Sequence, residues 1–362
     1  MIAAGRHDAI LRELELRGSL EVTPLAGKLK VSTMTLRRDL AELEARGLLA
    51  RVHGGAVSPA VAAQRERHEV GANQPRRPIA TIGMVTPSAS YYYPEVIRGA
   101  RDAAREFNCR LVLGTTNYSE REELRQAERL IRGGVDALMI TPSGTTLEGT
   151  PLHELLVEAP IPVVVVERSV DERSGGRLES VRSDHAYGAE LAVRHLAELG
   201  HERIALAARE SPTTPWLLDG YERAMTRLGL AGGSMHQQLP SPSAGDDGTV
   251  DVLGRFLDEC LAGGISAAVM LSDVDAVAFT DLASERGIRV PEDFAVVAYD
   301  DEIAALARVP LTAIAPPKHD LGYAALRLCV DRIRQPDAAG RAVTRTAMLP
   351  VLIERESTRL GA

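Results

Sequence analysis

Long hydrophobic runs are missing from this chain. Nowhere do about 18 apolar residues follow one another, and the opening stretch, MIAAGRHDAILRELELRG, is broken up by charge. The sequence therefore predicts neither a membrane-spanning helix nor an export signal with an apolar centre, and its expected location is the cytoplasm. Cysteine is scarce as well: Cys109, Cys260 and Cys329 lie far apart, without a C-x-x-C and without paired histidines nearby. That spacing argues against a disulfide framework and against a zinc site, and it predicts buried free thiols. Catalytic signatures are also lacking. There is no G-x-S-x-G, no G-x-x-x-x-G-K-(S/T), no G-x-G-x-x-G after the first strand of the body, and the histidines form no H-E-x-x-H cluster. The expectation is a protein that binds without turnover and needs no metal or other cofactor.

What the chain does hold is ordinary globular material, 45% hydrophobic and 25% charged over 362 residues, enough for two or three folding units. Its charge is unevenly spread. Residues 1–77 carry 13 Lys+Arg against 9 Asp+Glu, a net of +4, so the overall −8 leaves −12 for residues 78–362. A basic head on an acidic body suits a small nucleic-acid-binding module joined to a soluble partner domain.

The head reads as helices. Ile10, Leu11 and Leu14 recur at helical spacing over 6–17, with Gly18 as the expected stop. Thr23 and Pro24 are placed to cap and open a short helix over 24–30. Ser32 caps a third helix, on which Leu36, Leu40 and Leu43 form a single apolar stripe. Thr33, Met34, Arg37, Arg38 and Ala41 are left on the other face. Short polar side chains followed by adjacent arginines are what a helix needs to reach base edges and phosphates in a major groove. The segment LLARVHGGAV then predicts a small hairpin turning at Gly54-Gly55, with Arg51 and His53 on a wing. A three-helix packing unit with a charged outside fits the same periodicity.

From about Arg6 to Ala56 the chain resembles the DeoR-family winged helix-turn-helix. The resemblance rests on Val31, Ser32, Thr35, Leu36, Arg37, Arg38, Asp39 and Leu40, followed by Gly47, Leu48, Leu49, Arg51, His53, Gly54, Gly55 and Ala56. It implies a DNA-binding domain over residues 1–57, with Ser32, Thr33, Met34, Thr35, Arg37, Arg38, Arg51, His53, Gly54 and Gly55 as the expected DNA-contacting residues. Residues 58–78, rich in Ala, Pro and Arg, read as a linker.

From Ile79 onward, apolar strands such as IATIGMVTP, ALMITPS, PVVVVER, RIALAAR, AAVMLSD and FAVVAYDD alternate with helical patterns. Unbroken apolar strands are covered on both faces, which predicts a doubly wound α/β arrangement of parallel sheets with ligands beyond the carboxyl ends of the strands. Those ends carry Thr86 to Ser88, Tyr91 to Tyr93, Thr115 to Asn117, Ser143, Glu167-Arg168, Asp184, Arg209, Asp273 and Asp300-Asp301. The single tryptophan, Trp216, follows one of them. Carboxylates and guanidiniums grip hydroxyls in pairs, and aromatic faces cover the apolar side of a sugar ring. Acidic residues also cap helices after strands as a matter of course.

Residues 79–358 resemble the sugar-binding core of the LacI family, related to periplasmic sugar-binding proteins. The matching pieces are IGMVTP, VDALMITPS, IPVVVVERSV, SDHAYGAELAVRHLAELGHERIALAA, GYERAM, LSDVDAVAFTDLASERGIRVPEDFAVVAYDD, PLTAIAPPKHDLG and LPVLIERES. The resemblance implies two lobes joined by strand crossovers, an effector in the cleft between them, and a homodimer. It marks Ser88, Tyr91, Tyr93, Arg168, Trp216, Asp273 and Asp300 as expected effector-binding residues. Ser272, Leu217 and Pro316 stand where many members have Asn, Arg and an amide, so the ligand is expected to differ from theirs. Together the two resemblances imply a cytoplasmic DNA-binding transcriptional regulator, a repressor of an operator relieved by a small carbohydrate. The alternatives are a solute-binding protein serving a carbohydrate transporter and an enzyme acting on a sugar.

Overall fold

A computed structural model describes residues 3–17, 19–29, 31–46, 48–52, 55–57, 78–170, 176, 178–239, 248–335 and 342–359. The chain divides into two compact units, Met1–Arg77 and Pro78–Ala362. The expected linker, 58–78, falls outside the described residues except for its last one.

In the first unit the helices are α1 (Ala3–Arg17), α2 (Val22–Leu29) and α3 (Thr33–Ala45), and the strands are β1 (Ser19–Glu21), β2 (Ala50–Val52) and β3 (Gly55–Val57). The strands form an antiparallel sheet in the order β1-β3-β2, with Arg51 opposite Ala56. Ile10, Leu14, Leu20, Leu25, Leu36, Leu40, Leu43 and Leu49 close one core beneath it. The second helix starts earlier than its sequence suggests, so Thr23 and Pro24 sit inside its first turn. Proline is tolerated there because the first amides of a helix have no partner within it. Strand β1 has no sequence signal of its own and exists because β3 needs a second neighbour. At Gly55 a Cβ would lie 2.0 Å from the Leu20 carbonyl oxygen, so only glycine lets the two strands pair.

The second unit consists of two lobes. The N-lobe holds β4 (Ala80–Thr86), α4 (Tyr93–Glu106), β5 (Cys109–Thr115), α5 (Glu120–Arg132), β6 (Ala137–Ile140), α6 (Pro151–Glu158), β7 (Val163–Val166) and β8 (Glu179–Ser183). The C-lobe holds α7 (His185–Glu198), β9 (Ile204–Arg209), α8 (Thr214–Arg227), β10 (Ser234–Leu239), α9 (Gly248–Ala262), β11 (Ala267–Leu271), α10 (Asp273–Glu285), β12 (Ala295–Tyr299) and β13 (Thr312–Ala315). The chain then returns to the N-lobe as α11 (Lys318–Arg334) and β14 (Arg345–Met348), and ends in the C-lobe with β15 (Val351–Ile353). The sheet orders are β14-β8-β7-β6-β4-β5 and β10-β9-β11-β12-β13-β15; every pairing is parallel except β13 with β15. Apolar clusters cover both faces of each sheet, as the unbroken valine, isoleucine and alanine strands require.

The lobes are connected by three passages, at Asp184, at Pro316-Pro317 and at Leu349-Pro350. Of the terminal segment LPVLIERES only Val351–Ile353 is strand, and β14 ends just before it. Pro350 separates β14 from β15, and the two belong to different sheets. The sequence reading also passes over β8 and β10, whose residues ESVRS and SMHQQL are too polar to register as buried strands.

Candidate functional site

Helix α3 begins at the cap Ser32, whose hydroxyl accepts from the Thr35 amide at 3.1 Å and lies 2.8 Å from the Thr35 hydroxyl. Leu36, Leu40 and Leu43 are buried, while Ser32, Thr33, Met34, Arg37 and Arg38 are exposed, Met34 to 80%. An exposed methionine between hydroxyls and arginines is ready to meet a surface. Asp39, inside the Arg-Arg-Asp-Leu run, faces the other way. It accepts both bonds of the Arg6 guanidinium at 2.8 and 3.0 Å, tying α1 to α3, and that pairing holds its carboxyl below the usual range. Arg51 lies in β2. His53 and Gly54 lie outside the described residues, and Gly55 serves the β1–β3 pairing.

In the body, the C-terminal strand ends of both lobes face one cleft. The Tyr91 hydroxyl, from the N-lobe, donates to Asp273 Oδ1 at 2.5 Å and lies 3.2 Å from Asp300 Oδ2. Asp273 Oδ2 accepts the backbone amides of Glu302, Ile303 and Ala304 at 2.6, 2.6 and 3.1 Å. A completely buried carboxylate is thereby satisfied at both oxygens. Asp300 is also buried. Desolvation pushes its carboxyl up to about 7, against the nearby Lys318 and His185 charges, which favour ionisation. Lys318 donates to the Asp300 carbonyl and to Glu302, and its ammonium sits 5.1 Å over the Tyr92 ring. Tyr92 donates in turn to Glu167. Burial alone would raise the Glu167 carboxyl, but His185 and the Ser183 hydroxyl and amide outweigh it and bring it to about 2. Tyr91, Asn117, Tyr118, Glu167, Asp300 and Asp301 all have positive φ, 50° to 91°, among seven such non-glycine residues described. Backbone strain gathered at strand ends around a cleft is a mark of a working site.

The opposite end of the cleft is basic and aromatic. Arg168 donates Nε to the Pro142 carbonyl at 2.8 Å and one terminal nitrogen to the Glu167 carbonyl at 2.7 Å. Arg182 lies over Trp216 at 5.0 Å from the ring centre. Both arginines, with His185, Pro212 and Trp216, line a cavity of about 60 Å³. Ser88 is folded into a local turn, its hydroxyl accepting from the Ser90 amide at 3.1 Å. Tyr93, the first residue of α4, is 4% exposed and packs edge-on against Tyr92 at 5.5 Å; its hydroxyl lies beside Arg168 and Glu167, and burial pushes it well above the usual tyrosine range. Asp184 caps α7 by accepting from the Tyr187 amide at 3.1 Å, the ordinary use of an acid after a strand.

Comparison with known proteins bears on both units. A family model described as a DeoR-like helix-turn-helix domain matches residues 6–61, and one described as a periplasmic binding protein-like domain matches residues 193–358. The "Arabinose metabolism transcriptional repressor" of Geobacillus stearothermophilus is 29% identical over 353 residues, covering 92% of this chain and 90% of the relative. The "Ribose operon repressor" of Escherichia coli (strain K12) is 31% identical over 287 residues, covering 76% of this chain and 82% of the relative. A crystal structure of a LacI family transcriptional regulator from Enterococcus faecalis V583, with bound ribose, is 25% identical, covers 76% of this chain and 98% of that one, and superposes with a TM-score of 0.63. The chain belongs to the LacI family of transcriptional regulators. Its relatives regulate transcription and are not enzymes. Among the described residues no helix is long and apolar enough to cross a membrane.

As a LacI-family regulator it carries cleft residues that the sequence reading did not single out. His185 bonds Tyr299 at 3.0 Å and faces Glu167 at 3.5 Å, and its position just after Asp184 in SDHAYG was a usable clue. Lys318, in PPKHD, and Arg182, in a strand with no apolar periodicity, offered none.

Proposed function

We propose that the head, residues 1–57, reads an operator through α3 and the wing, and that residues 79–358 bind a small sugar-like effector between their lobes and thereby set operator affinity. The observation that carries this reading is the cleft itself. Tyr91, Asp273 and Asp300 come from different lobes and meet within hydrogen-bonding distance, so a ligand placed there contacts both lobes at once and favours one arrangement of them over another. A ligand shifts such an equilibrium only by its differential affinity for the two arrangements. Repression relieved by sugar is the mode supported by relatives named as repressors of arabinose and ribose genes. The working form is a cytoplasmic homodimer, its two heads on half-sites about 34–36 Å apart or a multiple of that. The proposed effector contacts are Ser88, Tyr91, Tyr93, Arg168, Trp216, Asp273 and Asp300, and the proposed DNA contacts are Ser32, Thr33, Met34, Thr35, Arg37, Arg38, Arg51 and His53.

The test uses the purified full-length protein and fluorescence anisotropy on DNA tiled across its own upstream region, with and without arabinose, ribose and their phosphates. One tile should bind far more tightly than random duplex and be released by one of the sugars. Equal affinity for all tiles, in every condition, would overturn the reading.

A further inference from the structure

Among the described residues, no carboxylate bonds either of two guanidiniums at one end of the cleft. Arg168 and Arg182 donate to the carbonyl oxygens of Pro142, Glu167 and Ser183, the Tyr93 hydroxyl lies beside Arg168, and both side chains are half-buried. The described acids nearby are committed elsewhere, apart from the exposed Glu148 of the outer groove. Glu167 is occupied by Tyr92, Ser183 and His185. Asp273 is occupied by Tyr91 and three amides, and Glu302 by Lys318. Glu123, within the field of Arg168, is held by the Ser143 amide at 2.8 Å and by its hydroxyl. Past Arg182 and Trp216 the small cavity adjoins a groove of about 620 Å³ that also runs by His153, Glu148 and Arg345.

Half-buried cations without a counter-charge cost solvation that a neutral polyol cannot return in full. A planar guanidinium matches a carboxylate or phosphate with two parallel bonds, and the Trp216 ring under Arg182 fixes its direction. We infer that the effector is an anionic sugar, its phosphate or carboxylate received between Arg168 and Arg182 while its hydroxyls reach the Tyr91–Asp273–Asp300 end. Arg182 is the residue that discriminates it from the neutral parent sugar. This inference rests on the effector reading above and narrows its ligand class.

The experiment titrates the full-length protein by calorimetry, and operator release by anisotropy, with matched pairs: arabinose and arabinose 5-phosphate, ribose and ribose 5-phosphate, glucose and glucose 6-phosphate, glucose and gluconate, galactose and galacturonate. Inorganic phosphate serves as control. One anionic member should bind about tenfold or more tightly than its neutral partner, the worth of one charge-assisted contact, and should release the operator. The phosphate and carboxylate arms identify the group. Arg182→Gln should close that gap, and Arg182→Lys should restore part of it. A neutral sugar that binds as tightly as its anionic partner and releases the operator sinks the anion inference and leaves the effector reading standing. A gap untouched by Arg182→Gln, or inorganic phosphate binding as tightly as the sugar phosphate, also overturns it. Failure of every compound to bind removes both claims.

Discussion

Single residues in this protein divide between those that hold the fold and those left free to meet a partner, and α3 shows both within six positions. Asp39 is turned inward onto Arg6, whereas Arg37 and Arg38 are exposed. Arg37→Ala and Arg38→Ala should each weaken DNA binding, and at least one should lower the slope of log affinity against log salt by about one unit; unchanged slopes in both would place DNA elsewhere. Leu40→Ala, which empties a site 1% exposed, should cost about 2–5 kcal/mol of head stability in urea melts. In the cleft, the direction of each pKa shift sets the sign of a pH effect. Asp300 is raised to about 7, so between about pH 4 and 7 the folded chain holds a proton that the unfolded chain has lost. Its contribution to stability is therefore present at low pH and lost as pH rises through 7. Glu167, lowered to about 2, contributes with the opposite sign, and its share is lost as pH falls from about 4.5 towards 2. Asp300→Asn should flatten the decline in urea midpoint between pH 4 and 7; a decline as steep as in the parent would refute the assignment.

Elements pack as they do because glycines permit it at the helix crossings. In α4, a Cβ on Gly99 would lie 1.9 Å from the His319 carbonyl oxygen, and in α11 one on Gly322 would lie 1.9 Å from that of Val96. The two helices thus approach backbone to backbone. In the C-lobe, Gly220 of α8 stands in the same relation to Ala186 of α7, at 2.0 Å. Gly99→Ala should cost about 1–3 kcal/mol through the forced separation, measured by urea melts followed by circular dichroism. At this scale the sequence was most informative where an element is buried on one or both faces. The leucine stripe and Ser32 cap announce α3, and the runs ATIGMVT, VVVV and AVVAY announce central strands. It was least informative at sheet edges and, for β8, one strand in from an edge. Strands β1, β8, β10 and β14 have short or polar sequences, and their existence is decided by a neighbour that only the folded chain supplies. Among the cleft candidates, Tyr91, Asp273 and Asp300 were marked by their place at strand ends and are brought together.

The whole molecule joins a DNA-reading head to a two-lobed body whose halves communicate through three short crossings. At this scale the chemistry of the cleft is asymmetric, with carboxylates, Tyr91 and amides at one end and two arginines and an indole at the other. The chain contains a single tryptophan, and that residue is Trp216, half-buried in the cleft beneath Arg182. Its emission therefore arises from the cleft proposed to receive the effector and from no other indole, including any in the head. A fluorimeter can follow effector uptake in unlabelled protein while the operator is bound, and so determine the order in which a small molecule arrives and DNA departs.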